Sequence, residues 1–315
     1  MQKQNKMLHW SARDSCCRAG KSFRRYWQLY LLLVPVLMYL WLFNYVPMYG
    51  VQIAFRNFSA RKGILGSPWV GLNYFEKFLR YPDFSRILVN TLRITALGLL
   101  TFPFSIILAL SINEVYNSHF KRTVQMVTYA PHFISTVVVC SLITLFLDRN
   151  NGIINHMLAA LGFVRQGFMG MPSAFPHIYV LSGLWQHIGW DSIIYISALS
   201  SVSPELVEAA RIDGANRFQI IWHINLQCIM PTIIVLLIMR CGSIMNVNFE
   251  KVYLLQNSLN LPVSQVISTY VYELGLLNGQ ISYSAAIGLF NNVVNVIMLL
   301  LVNSIVKKLS EISLF

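Results

Sequence analysis

Long segments without charged residues recur along the chain, separated by polar stretches. A helix needs about 20 apolar residues to cross a hydrocarbon core roughly 30 Å thick. The pattern predicts six membrane-spanning helices, at about residues 29–49, 88–112, 124–147, 176–199, 231–247 and 284–306. Asp191 interrupts the fourth of these segments and Arg240 the fifth. We therefore expect an all-α membrane protein with six transmembrane helices.

The composition agrees with this expectation and excludes two other classes of protein. Hydrophobic residues make up 56% of the 315 residues and charged residues 11%, whereas soluble domains carry about 25% charged residues. The chain therefore lacks the polar surface of a soluble domain, and it is too hydrophobic to be disordered. The five cysteines contain no CxxC pair, so they indicate neither a disulfide framework nor a zinc site.

The placement of basic residues predicts the orientation of the chain in the membrane. The net charge of +12 does not by itself indicate nucleic acid, because basic residues beside membrane spans determine topology. A basic tail precedes the first span and places the N-terminus in the cytoplasm; six spans then return Lys307 and Lys308 to the same side. The loop after the first span opposes this orientation, since it carries Arg56, Arg61, Lys62, Lys77, Arg80 and Arg86.

The predicted organisation follows from these spans. It consists of a basic cytoplasmic tail (1–25), a first transmembrane helix (26–55), an external loop (56–87), a core of five helices (88–306) and a cytoplasmic C-terminal tail (307–315). A cleavable signal peptide is the alternative for the first apolar segment. That segment is too long for one and no A-x-A-like site follows it, so we expect a retained helix.

The cytoplasmic loop between the fourth and fifth spans, residues 203–231, has the clearest local signals. Ser203 suits a helix N-cap and Pro204 the first helical position, which predicts a short helix from Pro204 to Asp213. Gly214 then suits a left-handed cap, and a second helix is expected to begin near Asn216. An amphipathic connector lying on the membrane surface would account for the same pattern.

The residues of this loop carry a family resemblance. Glu208-Ala209-Ala210 is followed after three residues by Gly214, after nine more by Ile224, and then by Leu226. This spacing resembles the EAA loop of binding-protein-dependent ABC importer permeases. In the family Leu-Pro continues the motif, whereas Gln227 follows here.

Other stretches resemble the carbohydrate-uptake branch of that family, the lipoprotein-associated polysaccharide and oligosaccharide permeases. They are Trp69–Phe75 with Asn90-Thr91, Trp185–Trp190 with Asp191, Phe249–Asn257, Tyr270–Leu276 and Ser313–Phe315. The resemblance implies a type I importer fold whose permease core, residues 88–306, moves oligosaccharides or polysaccharide fragments into the cell.

The resemblance also implies partners and a site that transmits the energy of ATP. The expected partners are a second permease, two copies of a cytoplasmic ATPase and an extracellular solute-binding protein, with no nucleic acid. ATP and magnesium would be bound by the ATPase, so no cofactor and no enzymatic activity are expected in this chain. The family pattern assigns ATPase coupling to Glu208, Ala209, Ala210 and Gly214, with Arg211 and Asp213 as adjacent polar contacts.

Polar and aromatic residues within the spans are candidates for the sugar path, because such residues usually face a cavity or another helix. The candidates are Trp185, Trp190, Asp191, Asn246, Asn248, Asn291, Asn292 and Asn295. Hydrogen bonding between helices and membrane anchoring by tryptophan are the alternatives for each of them. Arg240 should have a partner, on this chain or on another subunit, because an arginine deep in a membrane is costly.

The remaining patterns argue against other functions. Gly20-Lys21-Ser22 imitates the end of a phosphate loop, but Ser15 stands where the first glycine is required and no strand precedes it. The seven histidines are scattered and form no HExxH motif, so no metal site is expected. An ion-coupled secondary carrier would carry more ionisable residues in its spans, and an export permease would lack the EAA loop. A permease for another solute remains the alternative.

Overall fold

The computed structural model describes residues 26–309, and these divide into two units, one up to Trp69 and one from Val70 onward. The basic tail, Gly20-Lys21-Ser22 and Ser313–Phe315 lie outside the described residues. The helices are α1 Trp27–Phe55, α2 Gly63–Gly66, α3 Asn73–Leu79, α4 Phe84–Leu99, α5 Phe102–Asn113, α6 Ser118–Tyr129, α7 Thr136–Phe146, α8 Ile153–Ala160, α9 Phe175–Leu199, α10 Pro204–Ile212, α11 Arg217–Gly242, α12 Phe249–Leu255, α13 Leu261–Ser264, α14 Ile267–Tyr272 and α15 Ile281–Leu309. Between residues 26 and 309 the only β-type pairings are two isolated bridges.

Length and apolar composition allow four to six membrane crossings in the described residues. Four helical segments suffice alone: Trp27–Phe55, Phe84–Asn113, Arg217–Gly242 and Ile281–Lys308. Two further crossings arise if each of two bent helix pairs is one span. The fold is therefore all-helical and multi-pass.

The predicted third span, residues 124–147, is not one helix. α6 continues through a 3₁₀ turn that contains Pro131, and the backbone of Ile134 is extended. The axis of α7 makes a bend of 98° with the axis of the helix that ends at Phe133. Ser135 begins the new helix, since its hydroxyl accepts a hydrogen bond from the N–H of Val138 at 3.4 Å. A proline followed by a capping serine is enough to break a helix at this point.

The fifth predicted span also differs from the sequence interpretation. The helix that begins at Arg217 runs without a break to Gly242, through Gln227 and Pro231, instead of ending before a separate span at 231–247. Pro231 removes one backbone hydrogen bond from this helix, which a membrane-spanning helix tolerates where neighbouring helices pack against it. A π-helical turn lies earlier in the helix, at Ile221–Asn225.

The unit from Val70 onward packs around α9. This helix contacts α4, α5, α6 and α11. Three buried clusters fill the spaces between helices: one around Phe78 joins α3, α4, α14 and α15, one around Val252 joins α4, α7, α9 and α12, and one around Tyr195 joins α5, α9 and α11. Gly183, His187 and Asp191 of α9 lie outside these clusters, and the face that carries them lines a cavity.

Candidate functional site

A cavity of about 280 Å³ lies between α4, α9, α11 and the segment that leads into α12. Its volume is close to the lower end of small-molecule pockets, roughly 300–1,000 Å³. One wall is a stripe of α9 formed by Tyr179, Gly183, His187 and Asp191. These residues are four positions apart, so one helix face presents all of them. The wall combines an aromatic ring, an imidazole and a carboxylate with apolar neighbours.

Arg240 has its partner within this chain. Its guanidinium lies 3.9 Å from the carboxylate of Asp191, across the cavity from α9 to α11. It also donates to the carbonyl of Gly98 at 3.4 Å and lies over the ring of Phe102 at 5.9 Å. The requirement that an intramembrane arginine be paired is thus met without another subunit. Because Asp191 is engaged in this way, the two charges largely compensate each other.

Three asparagines form a hydrogen-bonded cluster beside the cavity. The side-chain oxygen of Asn246 accepts from Asn291 at 2.9 Å and from Asn295 at 3.0 Å. Asn295 in turn accepts from the backbone N–H of Met245 at 2.9 Å. Asn246 lines the cavity, whereas Asn291 and Asn295 lie behind it on α15. The two residues of α15 therefore hold Asn246 in place.

Asn248 organises the opposite end of the cavity. Its side chain accepts from the N–H of Lys251 at 3.1 Å and so caps α12. Its own N–H donates to the hydroxyl of Tyr179 at 3.2 Å. Asn248 thereby fixes the tyrosine ring of the α9 stripe against the start of α12.

The two tryptophan candidates lie outside the cavity lining. The Trp190 ring stacks on His132 with ring centroids 4.3 Å apart, and His132 approaches His187 with ring nitrogens 3.1 Å apart. Trp185 is half exposed on α9. Asn292 is exposed on α15. Of the sequence candidates, Asp191, Asn246 and Asn248 face the cavity; a role in the sugar path stays a prediction for all of them.

Sequence reasoning missed Lys251. Its side chain lies in the cavity wall, 4% exposed, with Nζ 5.3 Å from the centroid of the Tyr179 ring. Its position in the sequence could have indicated that it is buried, because Lys251 and Leu255 are one helical turn apart on the buried side of α12. A lysine on the apolar face of a short helix points toward the protein interior, which here is the wall of the cavity.

The loop after α9 has the local structure that its sequence predicts. The Ser203 hydroxyl accepts from the N–H of Glu205 at 3.3 Å, and α10 begins at Pro204. Gly214 has φ +84°, a left-handed conformation that favours glycine. Asn216 and Gln219 then form a reciprocal capping box at the start of α11. The loop is therefore well defined between two long helices.

The EAA-like residues form an exposed surface on α10, whose axis is bent 77° from that of α9. Glu208, Ala209, Arg211 and Asp213 are exposed, and Ile212 is 87% exposed. Ala210, Asp213 and Gly214 line a shallow groove of about 310 Å³ that His223 of α11 borders. Arg211 donates to the hydroxyl of Tyr116 at 3.3 Å, which ties α10 to the end of α5. The surface combines small and apolar groups, such as Ala209 and Ile212, with the charged side chains of Glu208, Arg211 and Asp213; a role in ATPase coupling stays a prediction.

A match to known proteins identifies the architecture. Residues 101–311 match the family described as "Binding-protein-dependent transport system inner membrane component". The chain belongs to this family. It is therefore a multi-pass membrane subunit of a transport system that depends on a binding protein, and not a catalytic subunit.

Similar proteins cover nearly the whole chain. Protein LplB of Bacillus subtilis (strain 168) is 44% identical over 91% of this chain and 91% of its own. The polygalacturonan/rhamnogalacturonan transport system permease protein YteP of the same organism is 43% identical over 90% of this chain and 88% of its own. A chain in the crystal structure of a bacterial alginate ABC transporter, in complex with an alginate pentasaccharide-bound periplasmic protein, superimposes with TM-score 0.86 at 38% identity, covering 94% of this chain and 100% of that one.

Proposed function

We propose that this chain is one of two permease subunits in an ATP-driven importer of oligosaccharides or polysaccharide fragments. The named relatives support the substrate class, since YteP is a permease for polygalacturonan and rhamnogalacturonan and the structural neighbour belongs to an alginate transporter. A further relative, the arabinooligosaccharide permease AraP of Bacillus subtilis, is 30% identical over 89% of this chain. The proposed solutes are therefore chains of linked sugar units.

The observation that carries the mechanism is that α9 joins the cavity to the exposed loop. Its stripe from Tyr179 to Asp191 forms a cavity wall, and its C-terminal end leads through a short turn into α10. A movement imposed on α10 would therefore reach the cavity through one helix. Alternating access needs such a two-state element, which ATP binding at a partner can bias.

The proposed topology has six spans with both termini in the cytoplasm. In this arrangement the bent pair of α6 and α7 crosses the membrane once, α9 crosses once, and the basic residues of the N-terminal tail remain on the cytoplasmic side. α10 then lies at the cytoplasmic face, where an ATPase can reach it. Two ATPase copies bind ATP and magnesium, and an extracellular binding protein delivers the sugar to the opposite face.

Co-purification tests this assembly directly. The chain is expressed with an affinity tag together with its genetic neighbours, extracted in mild detergent and analysed by mass spectrometry. We expect a second permease and an ATPase to co-purify, and the reconstituted complex to hydrolyse ATP faster when its binding protein carries an oligosaccharide. A chain that transports sugar alone, driven by an ion gradient and without ATP, would contradict the proposal and favour a secondary carrier.

A further inference from the structure

Lys251 is an unusual residue in its surroundings. Asn248 caps α12, and the helix then buries Lys251 together with Val252 and Leu255. The lysine side chain is 4% exposed. Lysines are almost never buried to this extent unless they are paired with an acid.

No such partner exists in the part of the chain that the structure describes. The Nζ atom of Lys251 makes no hydrogen bond to any residue between 26 and 309. The adjacent Glu250 is exposed at the surface of the short helix. Asp191, the acidic residue of the cavity wall, is engaged by Arg240 at 3.9 Å. Lys251 is thus the uncompensated charge of the cavity.

The geometry places this charge in the wall of the cavity. A Cβ atom placed on Gly183 would lie 3.5 Å from Nζ, so the buried ammonium lies directly against this position of α9 in the cavity wall. Gly183 and Asp191 are eight positions apart on α9, which is about 12 Å along the helix axis. The Tyr179 ring, whose hydroxyl accepts from the N–H of Asn248, has its centroid 5.3 Å from Nζ. The ammonium of Lys251 therefore lies beside the ring of Tyr179 and away from the carboxylate of Asp191.

The charge is present at neutral pH. α12 lies outside the candidate spans, and burial lowers the pKa of Lys251 to about 8. The ammonium is therefore still protonated in most molecules at pH 7. An unpaired buried ammonium is unfavourable, and an anion that enters the cavity removes that penalty.

We propose that Lys251, beside Tyr179 and Gly183, binds a carboxylate of the substrate during its passage, and that the substrate class is an acidic oligosaccharide built from uronic acids. The inference rests on the proposed carbohydrate function and narrows it. Tyr179 offers an apolar face to a sugar ring while the ammonium meets the carboxylate of that ring. A lysine acts as a point charge without the bidentate fork of an arginine, which suits a site that must also release its ligand.

The test compares two probes that differ in charge: trigalacturonate and its fully methyl-esterified form. Equilibrium binding to the complete transporter in nanodiscs, without the binding protein, isolates the cavity from upstream selection. Uptake into proteoliposomes with the binding protein follows. The variants are Lys251→Met, which removes the charge, Lys251→Arg, which keeps it, and Lys62→Met, a control in an exposed loop.

We expect Lys251→Met to weaken binding of trigalacturonate and to raise its KM for uptake about tenfold or more, which corresponds to at least about 1.4 kcal/mol. Binding of the methyl ester should stay at the wild-type value, and the melting temperature should stay the same or rise, because Met removes a buried unpaired charge. Lys251→Arg should retain most of the affinity for the acid, and Lys62→Met should change nothing.

Equal losses for the acid and the ester, or no loss for either, would overturn the inference while leaving the carbohydrate function intact. Failure of Lys251→Arg to rescue binding would also overturn it, because the ammonium would then act through packing and not through charge. If the wild-type complex neither binds nor transports either probe while it transports a neutral oligosaccharide, the acidic substrate class is wrong. If it transports no oligosaccharide at all, the proposed function itself fails.

Discussion

Gly189 is where α9 approaches α6 most closely, and a single methyl group there should disturb the bundle. Gly189 is buried, and a Cβ atom placed on it would overlap the backbone carbonyl of Thr128 and lie 3.0 Å from the Cβ of that threonine. The obstruction is backbone, so no change of rotamer can relieve it. In Gly189→Ala the two helices must therefore move apart.

The magnitude follows from two opposing effects. Overpacking a close contact costs about 1–3 kcal/mol, and the upper part of that range applies because the carbonyl cannot turn away. Alanine recovers up to about 1 kcal/mol of helix propensity relative to glycine. The net loss is about 2 kcal/mol, which corresponds to a melting temperature roughly 4–8 °C lower for a domain of this size. Gly189 faces α6, but a shift of α9 would also move His187 and Asp191 on the cavity wall, so transport should fall as well.

The assay is thermal unfolding of the purified transporter, followed by the loss of monodisperse protein on size-exclusion chromatography. Gly288→Ala is the matched control, since α15 leaves open space around the Cβ position of Gly288. We expect the control to melt at the wild-type temperature or slightly above it. A melting temperature for Gly189→Ala equal to that of Gly288→Ala would refute the close packing of α9 on α6.

Two further predictions concern polar contacts beside the cavity. Arg240→Gln and Asp191→Asn should each reduce the amount of folded protein in the membrane, because each leaves the other charge uncompensated where a charge costs about 2.5–3.5 kcal/mol. The double variant should recover most of the loss, and losses that simply add would argue against the pair. Asn246→Leu removes the acceptor of two hydrogen bonds and should lower the free energy of unfolding by about 2 kcal/mol. Asn292→Leu, on the exposed face of α15, should lower it by less than about 0.5 kcal/mol. Equal melting temperatures for these two variants would contradict the asparagine cluster.

The sequence was most informative where local chemistry decides the structure. Ser203, Pro204 and Gly214 predict a capped helix and a left-handed residue, and both are found. These signals work because capping and φ depend on a few neighbouring atoms. The same holds for the long apolar segments, whose helical state is required wherever backbone groups lie in a membrane.

The sequence was less informative where distant residues decide the structure. The 98° bend after Pro131 was missed because the apolar run continues across it. The continuity of α11 through Pro231 was missed because a proline usually marks a helix boundary, whereas Pro231 lies inside the helix. Lys251 was missed because only the packing of α12 against α7 and α9 brings it to the cavity wall. Arg240 required a partner, but the pairing with Asp191 depends on how α9 and α11 are packed.

We propose that the exposed face of α10 receives the ATPase and that α9 carries the movement to the cavity. Ala209 tests this claim better than Gly214 does. A side chain at Gly214 would be strained at φ +84° even without a partner. Ala209 is exposed, so Ala209→Arg should change the stability of the chain by less than about 0.5 kcal/mol. Ala209→Ser is the matched control that keeps the position small.

The most direct measurement is ATP-driven uptake by proteoliposomes that contain the reconstituted transporter, together with the amount of ATPase that co-purifies with each variant. We expect Ala209→Arg to reach the membrane in normal amounts, to lose most of its bound ATPase and to transport at less than about a tenth of the wild-type rate, a loss of at least about 1.4 kcal/mol. Ala209→Ser should transport normally. Normal uptake and normal ATPase binding by Ala209→Arg, at wild-type abundance, would contradict the account.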